Sequence, residues 1–196
     1  MSLPPAAAGR QLEHRRQVEV QVYSRGDGLW EVEARLTDIK THDAQLVSGT
    51  RAAGQPIHDL LLRLVVDRRF EILQAGSESR ATPYPGHCDR SLPGEPGDRY
   101  AALVGLNLMR DFRRTMRERV GGTTGCTHLS ELAQVLPTAV VQAFAGEVID
   151  NRGDGEGAVR PFQLDRCHAL ASDGEAVRLF YPRWLRRQDA GAGPSA

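Results

Sequence analysis

The chain is expected to fold as an α+β domain, an antiparallel sheet of four to five strands with two C-terminal helices packed on one face. Three features carry that expectation. Apolar and polar residues alternate with a period of two in several segments before residue 75, as half-buried strands require. Most of these segments are joined by short turns containing Gly or Asp, which favours antiparallel neighbours. Beyond residue 98 the apolar spacing changes to three and four, the period of an amphipathic helix.

Residues 1–14 show no periodicity and read as a flexible lead. From Gln17, Val18, Val20 and Val22 alternate with Glu19, Gln21 and Tyr23, and Arg25-Gly26-Asp27-Gly28 supplies a hairpin turn. In residues 29–40, Trp30, Val32, Ala34 and Leu36 share one face. If the alternation continues, Asp38 joins that apolar face and needs a partner or a water-filled pocket. If the strand ends near Thr37, Asp38 is a turn residue. Residues 41–56 form a polar connection with one short edge strand at 45–47. Residues 57–66, the most apolar stretch, place His58, Leu60, Leu62, Leu64 and Val66 on one face. A turn at Asp67-Arg68 leads into a strand at 69–73, with Phe70 and Ile72 inward.

Residues 76–97 read as a long loop punctuated by Pro83, Pro85, Pro93 and Pro96, carrying His87 and Cys88. A helix is expected from about Asp98, with Leu103, Leu106, Met109, Phe112 and Met116 as its apolar stripe and Arg110, Arg113, Arg114 and Arg117 opposite. Gly121-Gly122 ends it. A second helix spans 127–144, with Leu129, Leu132, Val135 and Leu136 on its stripe and Pro137 marking a kink or a break. Residues 151–157 form a glycine-rich excursion, 187–196 a disordered tail, and 15–186 one domain.

Composition narrows the function classes. The 25 basic and 25 acidic residues cancel, so no global field recruits nucleic acid or an anionic membrane. Asp111 and Glu118 interrupt the arginine row, which reads as a solvated helix face. No apolar run approaches the roughly 18 residues of a membrane span, and no signal-peptide core begins the chain. Three widely spaced cysteines argue against a disulfide framework. The cytoplasm is the expected compartment and a small molecule the expected partner, with room for a homo-oligomer.

Candidate chemistry gathers at Gly121-Gly122-Thr123-Thr124-Gly125-Cys126-Thr127-His128-Leu129, where a glycine-rich turn delivers a thiol and an imidazole to the start of a helix. Unpaired N–H groups there favour a thiolate. The bland alternative is a capped helix with Cys126 packed as a small hydrophobe. His58 and Asp38 form an acid/base pair if both lie on the apolar face; otherwise His58 is a core histidine bonded to backbone. Cys88, Cys126, His128, Cys167 and His168 are the donor types zinc prefers, although no Cys-x-x-Cys pair is present.

Several ordered motifs resemble one known family: Asp27-Gly28-Leu29-Trp30-Glu31-Val32-Glu33, Asp38-Ile39-Lys40, Gly54-Gln55-Pro56-Ile57-His58-Asp59, Gly121-Gly122, Gly125-Cys126-Thr127-His128-Leu129 and Cys167-His168-Ala169-Leu170. Over roughly residues 15–184 the chain is similar to domain of unknown function 2889, a family of small bacterial proteins. The resemblance implies a bacterial single-domain protein and brings no activity with it. The residues themselves point to a small enzyme without an organic cofactor, of lyase, hydrolase or isomerase type, using Cys126, His128, His58 and Asp38. The competing expectation is a non-catalytic metal-binding or accessory protein that holds zinc through its Cys and His residues.

Overall fold

A computed structural model of the chain describes residues 3–88, 98–149 and 159–186. It divides into two compact units, Met1–Ala143 and Phe144–Ala196. The fold class is α+β, as the periodicities predict. In the first unit β1 (His14–Ser24), β2 (Trp30–Lys40), β5 (Pro56–Val66) and β6 (Ile72–Ala81) form an antiparallel sheet in the order β1-β2-β5-β6. The connection between β2 and β5 carries a separate two-stranded hairpin, β3 (Ala44–Leu46) and β4 (Gly49–Arg51), where a single edge strand was expected.

The period-two pattern sets the register. Val32 pairs with Leu64, Ala34 with Leu62, Leu36 with Leu60 and Asp38 with His58. Val32, Ala34, Leu36, Leu60, Leu62, Leu64 and Val66 are buried on one face, each large side chain worth roughly 1.5–3 kcal/mol by transfer out of water. β2 does not stop at Thr37: it runs through Asp38 to Lys40, so Asp38 belongs to this face and not to a turn. The ladder shifts register between Asp38 and Ile39, an irregularity of the kind that re-aims side chains. β1 begins at His14, three residues earlier than the valine alternation indicated.

β6 differs from expectation. Residues 69–73 were expected to be the strand and 76–97 a loop, yet β6 starts at Ile72 and continues through Gly76 to Ala81. Phe70 sits in the preceding turn with a left-handed φ of 67°. Asp98 explains part of the extension: its carboxylate accepts the backbone N–H of Ser77, the Ser77 hydroxyl at 2.8 Å and the Tyr100 N–H at 2.8 Å.

The helix expected from Asp98 is also broken up. A short 3-10 turn (Arg99–Leu103) precedes α1 (Phe112–Val120), and the segment between them pairs with the start of β6. Ile72 N–H donates to Leu106 O at 2.9 Å, Gly105 N–H to Ile72 O at 2.8 Å and Leu108 N–H to Phe70 O at 2.9 Å. Gly105, at φ 79°, allows the reversal. Leu108 is buried in place of the expected Met109.

α2 (Thr127–Phe144) runs unbroken through Pro137. Leu129, Leu132, Ala133, Leu136 and Val140 are buried on it, while Val135 is 38% exposed, so Ala133 takes the place expected for Val135. Arg113, Arg114 and Arg117 lie on the solvated side of α1, where Arg114 pairs with Glu118, while exposed Arg110 precedes the helix. In the second unit, α3 (Glu175–Phe180) lies between 3-10 turns at His168–Leu170 and Pro182–Trp184. Asp165 accepts the Ser172 N–H at 2.7 Å and its hydroxyl at 2.6 Å. The loop around Pro93 and Pro96, residues 151–157 and the tail 187–196 lie outside the described residues. No helix among the described residues is long and apolar enough to cross a membrane.

Candidate functional site

The register assembles a row of functional side chains across three strands. Arg16 of β1 pairs with Asp38 of β2, and Asp38 with His58 of β5. All three have the parity of the buried apolar face. His14 lies two residues before Arg16 on the same side of its strand. From α2, His128 and Glu131 reach the same end of the sheet.

Asp38 is the hub. Its side chain is only 4% exposed. Arg16 holds it in a fork, Nε to Oδ1 and Nη2 to Oδ2, both at 2.8 Å. His14 Nε2 lies 3.1 Å from Oδ1 and His58 Nδ1 3.0 Å from Oδ2. Burial pushes the Asp38 carboxyl up, but the Arg16 hydrogen bonds and charge, aided by His58 and His14, outweigh it and hold the group at about 2. Asp38 is therefore an ionised acceptor, and His58 donates its Nδ1–H to it. That fixes the His58 tautomer with a lone pair on Nε2, which has no hydrogen-bond partner among the described residues.

His128 faces His58 with ring centroids 3.9 Å apart and planes tilted by 35°. Its Nε2 lies 4.0 Å from Asp38 Oδ2 and its Nδ1 4.0 Å from Cys126 Sγ. Burial lowers the His58 pKa first and the neighbouring His128 lowers it further, against the pull of Asp38. The His58 side chain is 14% exposed and that of His128 27%, so the carboxylate is the floor of the site and the imidazoles rise toward solvent.

The glycine-rich turn positions its residues as the sequence reading required. α2 begins at Thr127, so Cys126 lies in the turn, and its carbonyl accepts the Ser130 N–H at 2.9 Å. The Tyr100 hydroxyl clamps this residue, donating to Cys126 O at 2.9 Å and accepting its N–H at 3.1 Å. Asp38, His58, His128 and Cys126 thus lie in one cluster. Of the other expected zinc donors, Cys88 lies in a turn after β6, and Cys167 and His168 belong to the second unit. Among the described residues, the potential metal ligands that approach closely are Asp38, His58 and His128, with one donor atom from each within 4.8 Å of the others.

A cavity of about 410 Å³ lies elsewhere, lined by Glu31, Glu33, Arg63, Val65, Ser77 and Asp98 among others. Glu31, Glu33 and Arg63 have the opposite strand parity from the cluster, and Arg63 is paired with Glu33.

His14, Arg16, Glu131 and Tyr100 were missed in the sequence. A signal existed for two of them: extending the parity of Val18, Val20 and Val22 backward puts Arg16 and His14 on the apolar face, Arg16 level with Asp38 and His14 with Lys40. Arg16 Nη1 continues to Glu131 Oε2 at 2.9 Å, a contact across 115 residues that no local pattern announces.

The burial of these groups has a pH signature. Folding lowers the His58 pKa from its ordinary 6.5. Its contribution is therefore fully present above 6.5 and is lost as the pH falls through the lowered folded value. Asp38 adds a second loss below its ordinary 3.8, as the pH falls through about 2. Urea denaturation against pH should show stability declining from about pH 6.5 downward, with a slope of up to roughly 1.4 kcal/mol per pH unit from one proton. His58→Gln should flatten the upper part of that decline. An unchanged slope in the variant would show that His58 is not buried in its neutral form.

No curated protein and no solved structure matches the chain. A family model does, over residues 14–142. The match takes in His14, Arg16, Asp38, His58, Cys126, His128 and Glu131, and it stops before Cys167 and His168. The chain therefore belongs to the family described as "Protein of unknown function (DUF2889)".

Proposed function

We propose that this protein is a small cytoplasmic enzyme performing acid/base chemistry on a small organic substrate, of lyase, hydrolase or isomerase type, without an organic cofactor. The observation that carries the reading is the Asp38–His58 pair, with Nδ1–H donated to a buried carboxylate at 3.0 Å and Nε2 left with its lone pair. His58 Nε2 accepts the substrate proton, and ionised Asp38 stabilises the imidazolium that forms. His128, stacked at 3.9 Å, offers a second imidazole to a leaving group or to developing negative charge. Cys126 touches His128 from the helix start and lines the same side. The three free cysteines support a reducing compartment.

The test is a panel of small carbonyl, hydroxycarbonyl and ester compounds incubated with the protein in D₂O and followed by NMR for deuterium incorporation or turnover. At least one should react, and His58→Gln should slow that reaction by about 10²–10⁴-fold. A reaction indifferent to His58→Gln, or none across the panel with folded protein, would remove this reading.

A further inference from the structure

We infer that the same site binds a divalent transition-metal ion, Zn²⁺ by the chemistry of its donors, through His58 Nδ1, His128 Nε2 and Asp38 Oδ2, and that the ion switches the base off. The donor atoms lie close to the spacing an ion needs. His58 Nδ1 is 3.0 Å and His128 Nε2 4.0 Å from Asp38 Oδ2, and one donor from each residue lies within 4.8 Å of the others. Ligands at about 2.0–2.1 Å from a tetrahedral zinc stand roughly 3.4 Å apart. Side-chain rotations that shift the donor atoms by roughly 0.4 to 1.4 Å close the difference. Two imidazoles and one carboxylate suit zinc and its neighbours and are a poor set for calcium or magnesium.

Charge and second-shell contacts support the site. The two carboxylates of Asp38 and Glu131 outnumber the single guanidinium of Arg16 around the site. Arg16 hydrogen-bonds both Asp38 oxygens and is itself held by Glu131 at 2.9 Å. It orients the carboxylate as outer partners of ligands do, while its charge limits affinity. His128, 27% exposed, lies on the side of the cluster nearer solvent, from which an ion would enter.

Binding requires a tautomer change. The His58 ring proton moves from Nδ1 to Nε2, the Nδ1 lone pair passes to the ion, and a neutral ring releases no proton. Nε2 then carries the hydrogen and cannot accept the substrate's. Metal and proton transfer exclude one another at His58. The inhibition rests on the acid/base reading above; the binding does not.

Chelator-stripped protein titrated with Co²⁺, a visible stand-in for Zn²⁺, tests the binding. One ion per chain should give ligand-field absorption of four- or five-coordinate cobalt, and Zn²⁺ should displace it. His58→Ala and His128→Ala should abolish the signal, while Cys126→Ser and His42→Ala should keep it. Paramagnetic broadening of the His58 and His128 ring protons in the unaltered protein supplies the same readout without any variant. No stoichiometric binding, full binding by His128→Ala, or a sulfur-to-cobalt charge-transfer band would overturn the site. The D₂O reaction run in chelator and then with Zn²⁺ separates the two ideas. A His58-dependent reaction with no metal bound leaves the base and removes the metal site. Stoichiometric metal with no His58-dependent reaction does the reverse. A reaction that persists undiminished with bound Zn²⁺ overturns the switch.

Discussion

Asp38→Asn should lower the stability of the first unit by about 3 kcal/mol, and its melting temperature by about 10 °C. The carboxylate accepts four contacts, two from Arg16 and one each from His14 and His58. An amide keeps the shape but turns one acceptor into a donor, facing a guanidinium or imidazole N–H, and removes the charge that balances Arg16. Breaking a buried ion pair costs roughly 3–5 kcal/mol. The lower end applies, because Arg16 keeps Glu131 and its own side chain is 38% exposed. Asp59→Asn is the matched control. Asp59 also takes an arginine fork, with Arg35 at 2.8 Å twice, but Arg35 is its single hydrogen-bond partner among the described residues and is 47% exposed; about 1 kcal/mol is expected there. Combining Asp38→Asn with Arg16→Met should cost less than the sum of the two, because the second change removes the charge the first leaves unpaired. Chemical denaturation of these four variants beside the unaltered protein decides it. Equal losses for Asp38→Asn and Asp59→Asn, or strict additivity with Arg16→Met, would show that Asp38 is not the hub.

The parts of this site legible in the sequence are those governed by short-range periodicity. Strand parity put His58 among Leu60, Leu62 and Leu64 and left Asp38 to be decided by where β2 ends. The glycine turn followed by an apolar stripe placed Cys126 ahead of the helix and His128 in its first turn. The misreadings came where a non-local contact overrides local preference. Residues 98–111 carry helical spacing, yet Gly105, Leu106 and Leu108 exchange main-chain hydrogen bonds with Phe70 and Ile72, which a propensity argument cannot see. Gly76 suggested the end of a strand, but the Asp98 carboxylate lies against it, 3.6 Å from where a Cβ would sit, and its bonds to Ser77 help extend β6. The zinc expectation rested on donor type and shares His128 with the set proposed above, whose other members, Asp38 and His58, were read as an acid/base pair. Donor type is visible in a sequence, whereas convergence depends on which β-strands pair, and the donors that converge come from β2, β5 and α2.

Gly125→Ala should be among the most damaging single-methyl changes in the chain, at about 3 kcal/mol or more, and it should disturb the site along with the fold. Gly125 has extended backbone angles, φ −151° and ψ −171°, so conformational strain is not the cause. Space is: a Cβ there would lie 2.1 Å from the Val120 carbonyl oxygen, 2.9 Å from its carbon and 3.3 Å from the Tyr100 hydroxyl. Both close atoms are main chain at the end of α1, and the oxygen already accepts the Ser130 hydroxyl at 2.9 Å, so neither can swing aside as a flexible side chain would. Relief means separating the end of α1 from the start of α2, beyond the roughly 1–3 kcal/mol of ordinary overpacking. That movement would pull Cys126 from the Tyr100 hydroxyl and carry His128 away from His58. Gly122→Ala is the informative comparison. Gly122 has a left-handed φ of 59° with nothing within 4 Å of the added methyl, so only the backbone penalty of about 1–2 kcal/mol applies. Urea denaturation should rank Gly125→Ala well below Gly122→Ala, and NMR of the imidazole rings should show the His58–His128 stacking shifts lost only in the former. Equal stabilities, or an unshifted His128 in Gly125→Ala, would mean that the close approach of the two helices does not hold the site in place.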